Sequence, residues 1–401
     1  MVLPLKSKVP ASFLTFPLTI YAMIAMGEFS IGVILIEIIH EFQISETDAG
    51  GLFSAYITFT AIMAFFGGNI SDRFGRKFSL VMGAGIFFFA FTVAIFSPNY
   101  TILILAFAFA GIGKGTYAPS IYSLMGELRT SSRGLLIGLA TSVFYFGGFL
   151  GPVALGALAT QFGWRIPLRL LGIAGLLMVV ALTFFVKEKK TSAKEKASFA
   201  RGSFRDVFET RNSIIVTMTI FASAFGFGAN ISWTPTFLQR AQNLDLANAG
   251  LIYGLFFCGG ILGSLILSFL SDRIGRKVPI ILVGFISALM SYTLYTSIHL
   301  FDTLAILMLV FGFFGAPFWA LQTALVQESV RPELIGTATG AVQGMGYSSS
   351  IIAPLIVGQM LSTSSVMSMP MIVGVSLPYL ICGTMILTVR QVRNQDRVTE
   401  V

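Results

Sequence analysis

Residues 71–77 read SDRFGRK, and residues 271–277 read SDRIGRK. Six of the seven positions are identical, and the two copies lie 200 residues apart in a chain of 401. Each copy directly follows a long apolar segment, the second such segment in its half of the chain. A match of this kind at half the chain length indicates an internal repeat. We therefore predict two structurally equivalent halves.

The composition around these copies is that of a membrane protein. The chain is 55% hydrophobic and 11% charged, whereas a soluble domain carries about 25% charged residues, so a soluble enzyme is excluded. Apolar runs of about 20 residues can cross a bilayer as helices, and the alternating polarity of an outer-membrane barrel is absent from the sequence. We predict an all-α membrane protein with twelve transmembrane helices, at 14–39, 49–70, 78–96, 101–125, 135–159, 166–186, 213–238, 249–270, 278–298, 304–326, 334–361 and 366–389.

These spans divide into a six-helix bundle at 1–186, a polar linker at 187–212 and a second six-helix bundle at 213–401. Parallel repeats of this kind are related by an axis along the membrane normal. Short cytoplasmic loops hold an excess of Lys and Arg, and placing both termini in the cytoplasm puts nearly all basic residues on that side. The exceptions are Lys114, Arg165, Arg169 and Arg240.

The net charge of +8 follows from the same distribution, because basic loops also lie next to anionic lipid head groups. We therefore expect membrane lipids, and not nucleic acid, as partners. Cys258 and Cys382 both lie inside apolar runs and have no metal-ligand spacing. Neither a disulfide framework nor a metal site is predicted.

The repeated loop resembles the signature of the major facilitator superfamily, Gly-x-x-x-Asp-Arg-x-Gly-Arg-Lys. The first copy meets it at Gly68, Asp72, Arg73, Gly75, Arg76 and Lys77. The second copy keeps Asp272, Arg273, Gly275, Arg276 and Lys277, with Ser268 in place of the first glycine. The resemblance covers essentially the whole chain and implies that family's fold.

Two further segments point to one branch of the family. The fifth span contains Gly147, Gly151, Pro152 and Gly156, which is similar to a motif associated with antiporters. The segment Gly27-Glu28-Phe29 is similar to the drug and sugar efflux branch. One departure is Phe107, which stands where the family often has an arginine in the fourth span.

The resemblance also implies a gate. A carboxylate at Asp72 would meet the N-terminus of the eleventh span near Leu334, where the helix dipole favours a negative charge by about 0.3–2 kcal/mol. This contact between the halves would hold the cytoplasmic side shut. The alternative for Arg73, Arg76 and Lys77 is that they are ordinary cytoplasmic-side charges.

Few ionisable residues lie inside the spans, and Glu28 and Lys114 are near the middle of theirs. Such residues are costly in a membrane and normally face a cavity or a partner. Lys114 is an anchor for an anionic substrate, a partner of Glu28 in a buried ion pair, or a snorkelling residue; the first two do not exclude each other. The resemblance implies that spans one, four, seven and ten line the central cavity. The further candidates for the cavity are Tyr145, Asn230, Trp233, Trp319 and Gln322, of which Tyr145 and Trp319 have packing as the alternative.

The pattern favours a secondary active transporter that moves a small organic solute by alternating access, as proton-coupled efflux or exchange. The alternative is a symporter that imports an organic anion, and a remote one is a non-transporting receptor or scaffold. The sequence has no phosphate-binding loop for ATP, no catalytic cluster and no cofactor motif, so we expect neither a pump nor an enzyme. We expect a monomer in a prokaryotic inner membrane.

Overall fold

A computed structural model describes residues 11–128, 133–185, 207–298, 300–331 and 334–389. Throughout these residues the regular secondary structure is helical. The greater part of the linker predicted at 187–212 lies outside the described residues, as do the surroundings of Gly68 and the side chain of Asp72.

The described residues of the first half form seven helices. They are α1 (Ala11–Ser30), α2 (Leu35–Phe42), α3 (Glu46–Phe74), α4 (Arg76–Ala94), α5 (Tyr100–Leu128), α6 (Arg133–Phe162) and α7 (Arg165–Phe185). The second half contains α8 (Arg211–Arg240), α9 (Leu246–Ile274), α10 (Lys277–Thr296), α11 (Phe301–Gly315), α12 (Phe318–Glu328), α13 (Ile335–Thr363), α14 (Ser368–Met371), a π-helical turn (Ile372–Ser376) and α15 (Leu377–Leu387).

The predicted membrane spans are present as helices. In the described residues, ten helical segments are long and apolar enough to cross a membrane, and α1 with α2 forms an eleventh that is bent by 54°. The remaining predicted span is α13, a 29-residue helix rich in Gly, Ser and Thr that packs against α3 and α8. The prediction of an all-helical, multi-pass membrane protein is confirmed.

Two spans that were predicted as continuous are broken. The first is interrupted at residues 31–34, where a Cβ on Gly32 would lie 2.6 Å from the carbonyl oxygen of Ile231 in α8. The tenth is interrupted before Pro317, whose ring lacks an N–H and clashes with the preceding helical turn. Hydropathy is uniform across both breaks, so apolar runs alone do not reveal them.

The internal repeat is reproduced in the backbone. Gly75 joins α3 to α4 at φ 98° and ψ 154°, and Gly275 joins α9 to α10 at φ 91° and ψ 158°. These positive φ values are accessible to glycine and strongly unfavourable for other residues. The same turn therefore follows the second span of each half.

The two ends of the helical bundle differ in the loops that they carry. The motif end carries both copies of the repeated loop, at 71–77 and 271–277, and the opposite end carries the loops at 43–45 and 241–245. The halves contact each other mainly through α3 against α13 and α6 against α9. These two contacts are equivalent under the repeat.

Candidate substrate and proton site

The centre of the first half contains a buried ion pair. Lys114 Nζ of α5 lies 2.5 Å from Glu28 Oε1 of α1, and the two side chains are 12% and 8% exposed. The second carboxylate oxygen, Glu28 Oε2, is buried and has no hydrogen-bond partner among the described residues. Of the three interpretations of Lys114, the ion pair with Glu28 is present in the structure. Glu28 Oε2 is a hydrogen-bond acceptor without a partner beside this pair.

Glycines bring the neighbouring helices close to this pair. A Cβ on Gly111 would collide with the carbonyl of Tyr56, and one on Gly115 would collide with the carbonyl of Thr60. Because both glycines lie on α5, one turn apart around Lys114, the α5 and α3 backbones pack directly together there. This packing places Tyr56 beside Lys114.

Aromatic rings surround the ammonium group. Lys114 Nζ lies 5.3 Å from the ring centroid of Phe144 and 5.6 Å from that of Tyr56, within the range of cation–π attraction. Phe144 stacks on Tyr21 with centroids 4.8 Å apart. Sequence reasoning missed Tyr56, Phe144 and Tyr21. The spacing of Gly111 and Gly115 signalled a close helix contact but not which helix makes it.

In the second half, Tyr347 of α13 lies near the pair, within electrostatic range of Glu28 and of Tyr122 in α5. The ring of Trp319 in α12 lies 5.7 Å from that of Tyr347, and both side chains are partly exposed. Trp319, a predicted cavity residue, is therefore next to a residue that reaches the pair.

Three other predicted cavity residues are fully buried and have partners inside the second half. Trp233 donates its indole N–H to the carbonyl of Pro354 at 3.0 Å, and Asn230 Oδ1 accepts from Thr234 at 2.7 Å. Gln322 Nε2 donates to Ser223 Oγ at 2.8 Å. The structure does not bring Trp233 and Gln322 to the ion pair.

Each helix break is bridged by a side chain from the other half. Tyr145 of α6 donates its hydroxyl to the carbonyl of Ala316 at 3.0 Å, at the break in the tenth span. Gln239 Nε2 of α8 donates to the carbonyl of Val33 at 2.7 Å, at the break in the first. Carbonyls that lose their helical partner need another donor. Tyr145, predicted as a cavity residue, satisfies one of these carbonyls.

The repeated loops make equivalent hydrogen bonds in the two halves. Arg76 donates to Ser71 Oγ at 2.8 Å, and Arg276 donates to Ser271 Oγ at 3.1 Å. Lys77 Nζ donates to the carbonyl of Thr183, the last turn of α7. Lys277 Nζ likewise donates to the carbonyls of Leu387 and Val389, each at 2.8 Å. In each half, the arginine therefore closes the loop onto the end of the second span, and the lysine ties the start of the third span to the end of the sixth.

The remaining loop charges lie at the surface. Arg276 forms ion pairs with Asp272 and, at 2.9 Å, with Glu328. Burial by itself lowers the pKa of the Arg276 guanidinium, but the two carboxylates outweigh it and raise the pKa. Arg273 lies over the ring of Phe269 at 4.4 Å and Arg73 over that of Phe74 at 5.5 Å. The predicted contact of Asp72 with the eleventh span involves a side chain outside the described part of the chain.

The glycine motif of the fifth span is a packing surface on α6. Cβ atoms on Gly147 and Gly151 would collide with the carbonyls of Ala22 and Met26 in α1. A Cβ on Gly156 would lie 3.2 Å from the carbonyl of Leu246 in the other half. These glycines hold α6 against both the helix of Glu28 and the second half.

The interface between the halves is closed at the opposite end. A Cβ on Gly50 would collide with the carbonyl of Pro354, and one on Gly250 would collide with that of Pro152, which are equivalent contacts under the repeat. Nearby, Arg240 forms an ion pair with Glu46 at 2.9 Å across the halves.

The same interface is open at the motif end. Cβ atoms added to Gly138, Gly340 and Gly344 would have nothing within 4 Å. Hydrogen bonds between the halves are made by Thr47, Ser54, Tyr145, Gln239 and Arg240, which lie at the level of Tyr145 or closer to the opposite end. The two halves are therefore less tightly packed against each other at the motif end than at the opposite end.

The chain is similar to several known proteins. It is 25% identical to the cis,cis-muconate transport protein of Acinetobacter baylyi, over 86% of this chain and 85% of that protein. It is 26% identical to a probable galactarate/D-glucarate transporter of Bacillus subtilis, over 81% of this chain and 80% of that one. A bacterial homologue of the human lysosomal transporter Spinster, solved in an inward-facing and unoccupied conformation, has a TM-score of 0.77 at 16% identity, covering 95% of this chain and 96% of that one.

Residues 18–354, which are most of the chain, match the sequence model of the Major Facilitator Superfamily. The family and the similar proteins named above are transporters and not enzymes. Within the part of the chain that the structure describes, no group of three His, Cys, Asp or Glu residues could hold a metal ion. The chain belongs to the major facilitator superfamily, and it is a multi-pass integral membrane protein.

Proposed function

We propose that this protein is a secondary transporter of small organic anions, in which Lys114 binds the substrate carboxylate and Glu28 carries a proton. The observation that supports it most directly is the buried pair of Lys114 and Glu28, which has an unsatisfied carboxylate oxygen and faces Tyr347 of the other half. The similarity to transporters named for muconate and for galactarate/D-glucarate favours an acidic substrate. It favours this substrate class over that of the drug and sugar efflux branch.

The pair suggests how substrate and proton are coupled. Without substrate, Lys114 and Glu28 neutralise each other. A carboxylate that binds Lys114 replaces Glu28 as its counter-ion and leaves the Glu28 charge uncompensated in an apolar environment, which is strongly unfavourable. A proton on Glu28 removes that charge. Substrate and proton are then bound together and cross in the same direction, which is symport.

The arrangement of the halves fits alternating access. We place both termini and the motif end in the cytoplasm of a bacterial inner membrane, following the distribution of Lys and Arg. The bundles at 1–186 and 213–401, joined by the linker at 187–212, would then be open to the cytoplasm in this state. The solved structure with a TM-score of 0.77 was also obtained in an inward-facing conformation. Transport requires the opposite end to open while the motif end closes.

Efflux or exchange by proton antiport remains the second candidate, because the fifth-span motif lies at the interface that must separate. The two mechanisms differ in the sign of one measurable quantity. In symport, binding of the anion takes up a proton; in antiport, binding of the substrate releases one. Calorimetric titration of the purified protein with benzoate or glucarate, in buffers of different ionisation enthalpy, measures that sign directly.

We expect uptake of about one proton per bound monoanion by the native protein and none by the Glu28→Gln variant. Lys114→Ala should abolish binding, because the carboxylate loses its counter-ion. Glu37→Gln is the matched control, since Glu37 is a second carboxylate of the first span with a buried oxygen that lacks a partner in the described residues. Proton release on binding would contradict symport, and anion binding that persists in Lys114→Ala would contradict the proposed site.

A further inference from the structure

We propose that the site selects carboxylates carried on a flat, unsaturated or aromatic body and discriminates against polyhydroxylated acids. This inference rests on the proposed function, because it takes Lys114 as the group that binds the carboxylate. It concerns the remainder of the substrate. The surfaces that would contact that remainder are aromatic on both sides of the interface between the halves.

The wall in the first half is built around Phe144. Its ring lies 5.3 Å from Lys114 Nζ, stacks on Tyr21 and meets Phe29 edge-on with centroids 5.4 Å apart. Tyr122 meets Tyr21 edge-on at 5.9 Å. Phe144 and Tyr122 are partly exposed, whereas Tyr21 and Phe29 behind them are buried. This wall is therefore rigidly backed and presents ring surface beside the ammonium group.

The wall in the second half consists of Trp319 and Tyr347. Their centroids are 5.7 Å apart and their planes are inclined by 45°. Tyr347 lies within electrostatic range of both Glu28 and Tyr122, on the far side of the interface from Phe144, so the two walls lie on opposite sides of the ion pair. Gln343 lies one helical turn before Tyr347 and is partly exposed, which provides an amide for a single polar substituent. A planar group between the walls would contact aromatic rings on both sides.

The tyrosine hydroxyls of the first wall already have partners within the protein. Each hydroxyl of a buried polyol requires a hydrogen-bond partner, because burying it without one is unfavourable. The Tyr21 hydroxyl donates to the Tyr122 hydroxyl at 3.3 Å, the Tyr122 hydroxyl lies 3.4 Å from Thr141 Oγ1, and the Tyr145 hydroxyl donates to the carbonyl of Ala316. The hydroxyl of Tyr117 donates to the carbonyl of Pro17 at 2.7 Å.

Two buried polar atoms lie close to the carboxylate end of the site. Glu28 Oε2 and the hydroxyl of Tyr56 have no other hydrogen-bond partner among the described residues, and the two side chains lie within reach of each other. Because they are next to Lys114, they suit the carboxylate and the proton. They do not supply partners along the body of a polyol.

Three monoanions with a six-membered ring test the inference: benzoate, cyclohexanecarboxylate and glucuronate. The first is flat, the second is saturated, and the third is hydroxylated. Binding of each to the purified full chain is measured by calorimetry. We expect benzoate to bind about tenfold more tightly than glucuronate, with cyclohexanecarboxylate between them.

Variants locate the selectivity. Trp319→Leu keeps an apolar side chain but removes the flat ring, so it should weaken benzoate to the level of cyclohexanecarboxylate and leave the latter almost unchanged. Tyr347→Leu tests the same wall if the first variant does not fold. The matched control is Phe146→Leu, because Phe146 lies on the same helix as Phe144 but is 48% exposed on the outer surface. We expect it to change none of the three affinities.

The possible failures are distinguishable. Glucuronate binding as tightly as benzoate, with both lost in Lys114→Ala, would overturn this inference and support the proposed function. If Trp319→Leu reduced the affinities for benzoate and for cyclohexanecarboxylate by the same factor, this inference would also be overturned. Binding of all three anions that is unchanged in Lys114→Ala would overturn the proposed function and this inference together.

Discussion

The two ends of the interface between the halves are built from the same repeat but are packed differently. At the opposite end, Gly50 and Gly250 lie against the carbonyls of Pro354 and Pro152, so that α3 meets α13 and α9 meets α6 backbone to backbone. At the motif end, Gly340 and Gly344 of the same α13 have empty space where a side chain would be.

The difference shows that glycines along the interface of α3 with α13 have two roles. Near Pro354, the absence of a side chain on the facing helix permits a contact that already exists. Near Gly344, the absence of a side chain permits a contact that this state does not make. A rocking motion of the halves would exchange the two situations, since closing one end separates the other.

The largest expected effect is on the closed end. In Gly50→Ala the new methyl group would meet the Pro354 carbonyl, and overpacking of this kind costs about 1–3 kcal/mol. That energy corresponds to a shift of roughly 5–150-fold toward the state in which the opposite end is open. The shift is measured as faster reaction of a cysteine introduced at Thr47 with a water-soluble maleimide.

The adjacent glycine provides the control. A Cβ on Gly51 would lie 3.6 Å from the Tyr100 hydroxyl, an ordinary contact, so Gly51→Ala should label at the native rate. Equal labelling of the Gly50→Ala and Gly51→Ala variants would show that this contact does not hold the end closed.

The second prediction concerns the open end. Gly344→Leu should leave the stability of the described state unchanged, because nothing lies within 4 Å of the new side chain's attachment point. It should slow transport by about tenfold, because the motif end must then close over a bulky residue at a cost similar to other overpacked contacts. The measurement is uptake of benzoate, or of the best-binding anion, into proteoliposomes together with the melting temperature. Native uptake by Gly344→Leu would contradict closure at this position.

The smallest expected effect comes from the ion pair between the halves. The side chains of Arg240 and Glu46 are 32% and 25% exposed, and pairs of this kind contribute about 0.2–1 kcal/mol. Arg240→Gln should therefore increase labelling at Thr47→Cys by a factor of about 1.4 to 5, and by less at high salt. Arg165→Gln is the control, since Arg165 pairs with Glu41 at the same end but within the first half. An equal increase in labelling of the Arg165→Gln variant would show that the pair of Arg240 and Glu46 has no specific role in keeping this end closed.

Sequence patterns predicted the helical architecture because long apolar runs and a repeated loop are local properties of the chain. They also singled out Glu28 and Lys114, since ionisable residues inside spans are rare. They did not locate the breaks at Gly32 and Pro317, because hydropathy does not change there. Nor did they identify Tyr56 or Phe144, which approach Lys114 from other helices.

The predicted cavity residues show the same difference between what residue type indicates and what helix packing determines. Residue type made Trp233 and Gln322 reasonable candidates, since polar and aromatic side chains suit a binding cavity. Rotation of their helices instead directs them to partners in the second half. A side chain's direction depends on how its helix packs, and one sequence does not contain that information in a readable form.

The amino-acid sequence by itself determined that this chain crosses the membrane many times, that its halves are repeats, and which two charges lie inside. Composition and spacing suffice for these properties because each depends on residues close together in the chain. Only the tertiary structure decided that Lys114 contacts Glu28, that the two walls are aromatic, and which end is closed. Those properties depend on contacts between residues far apart in the chain, which packing alone establishes.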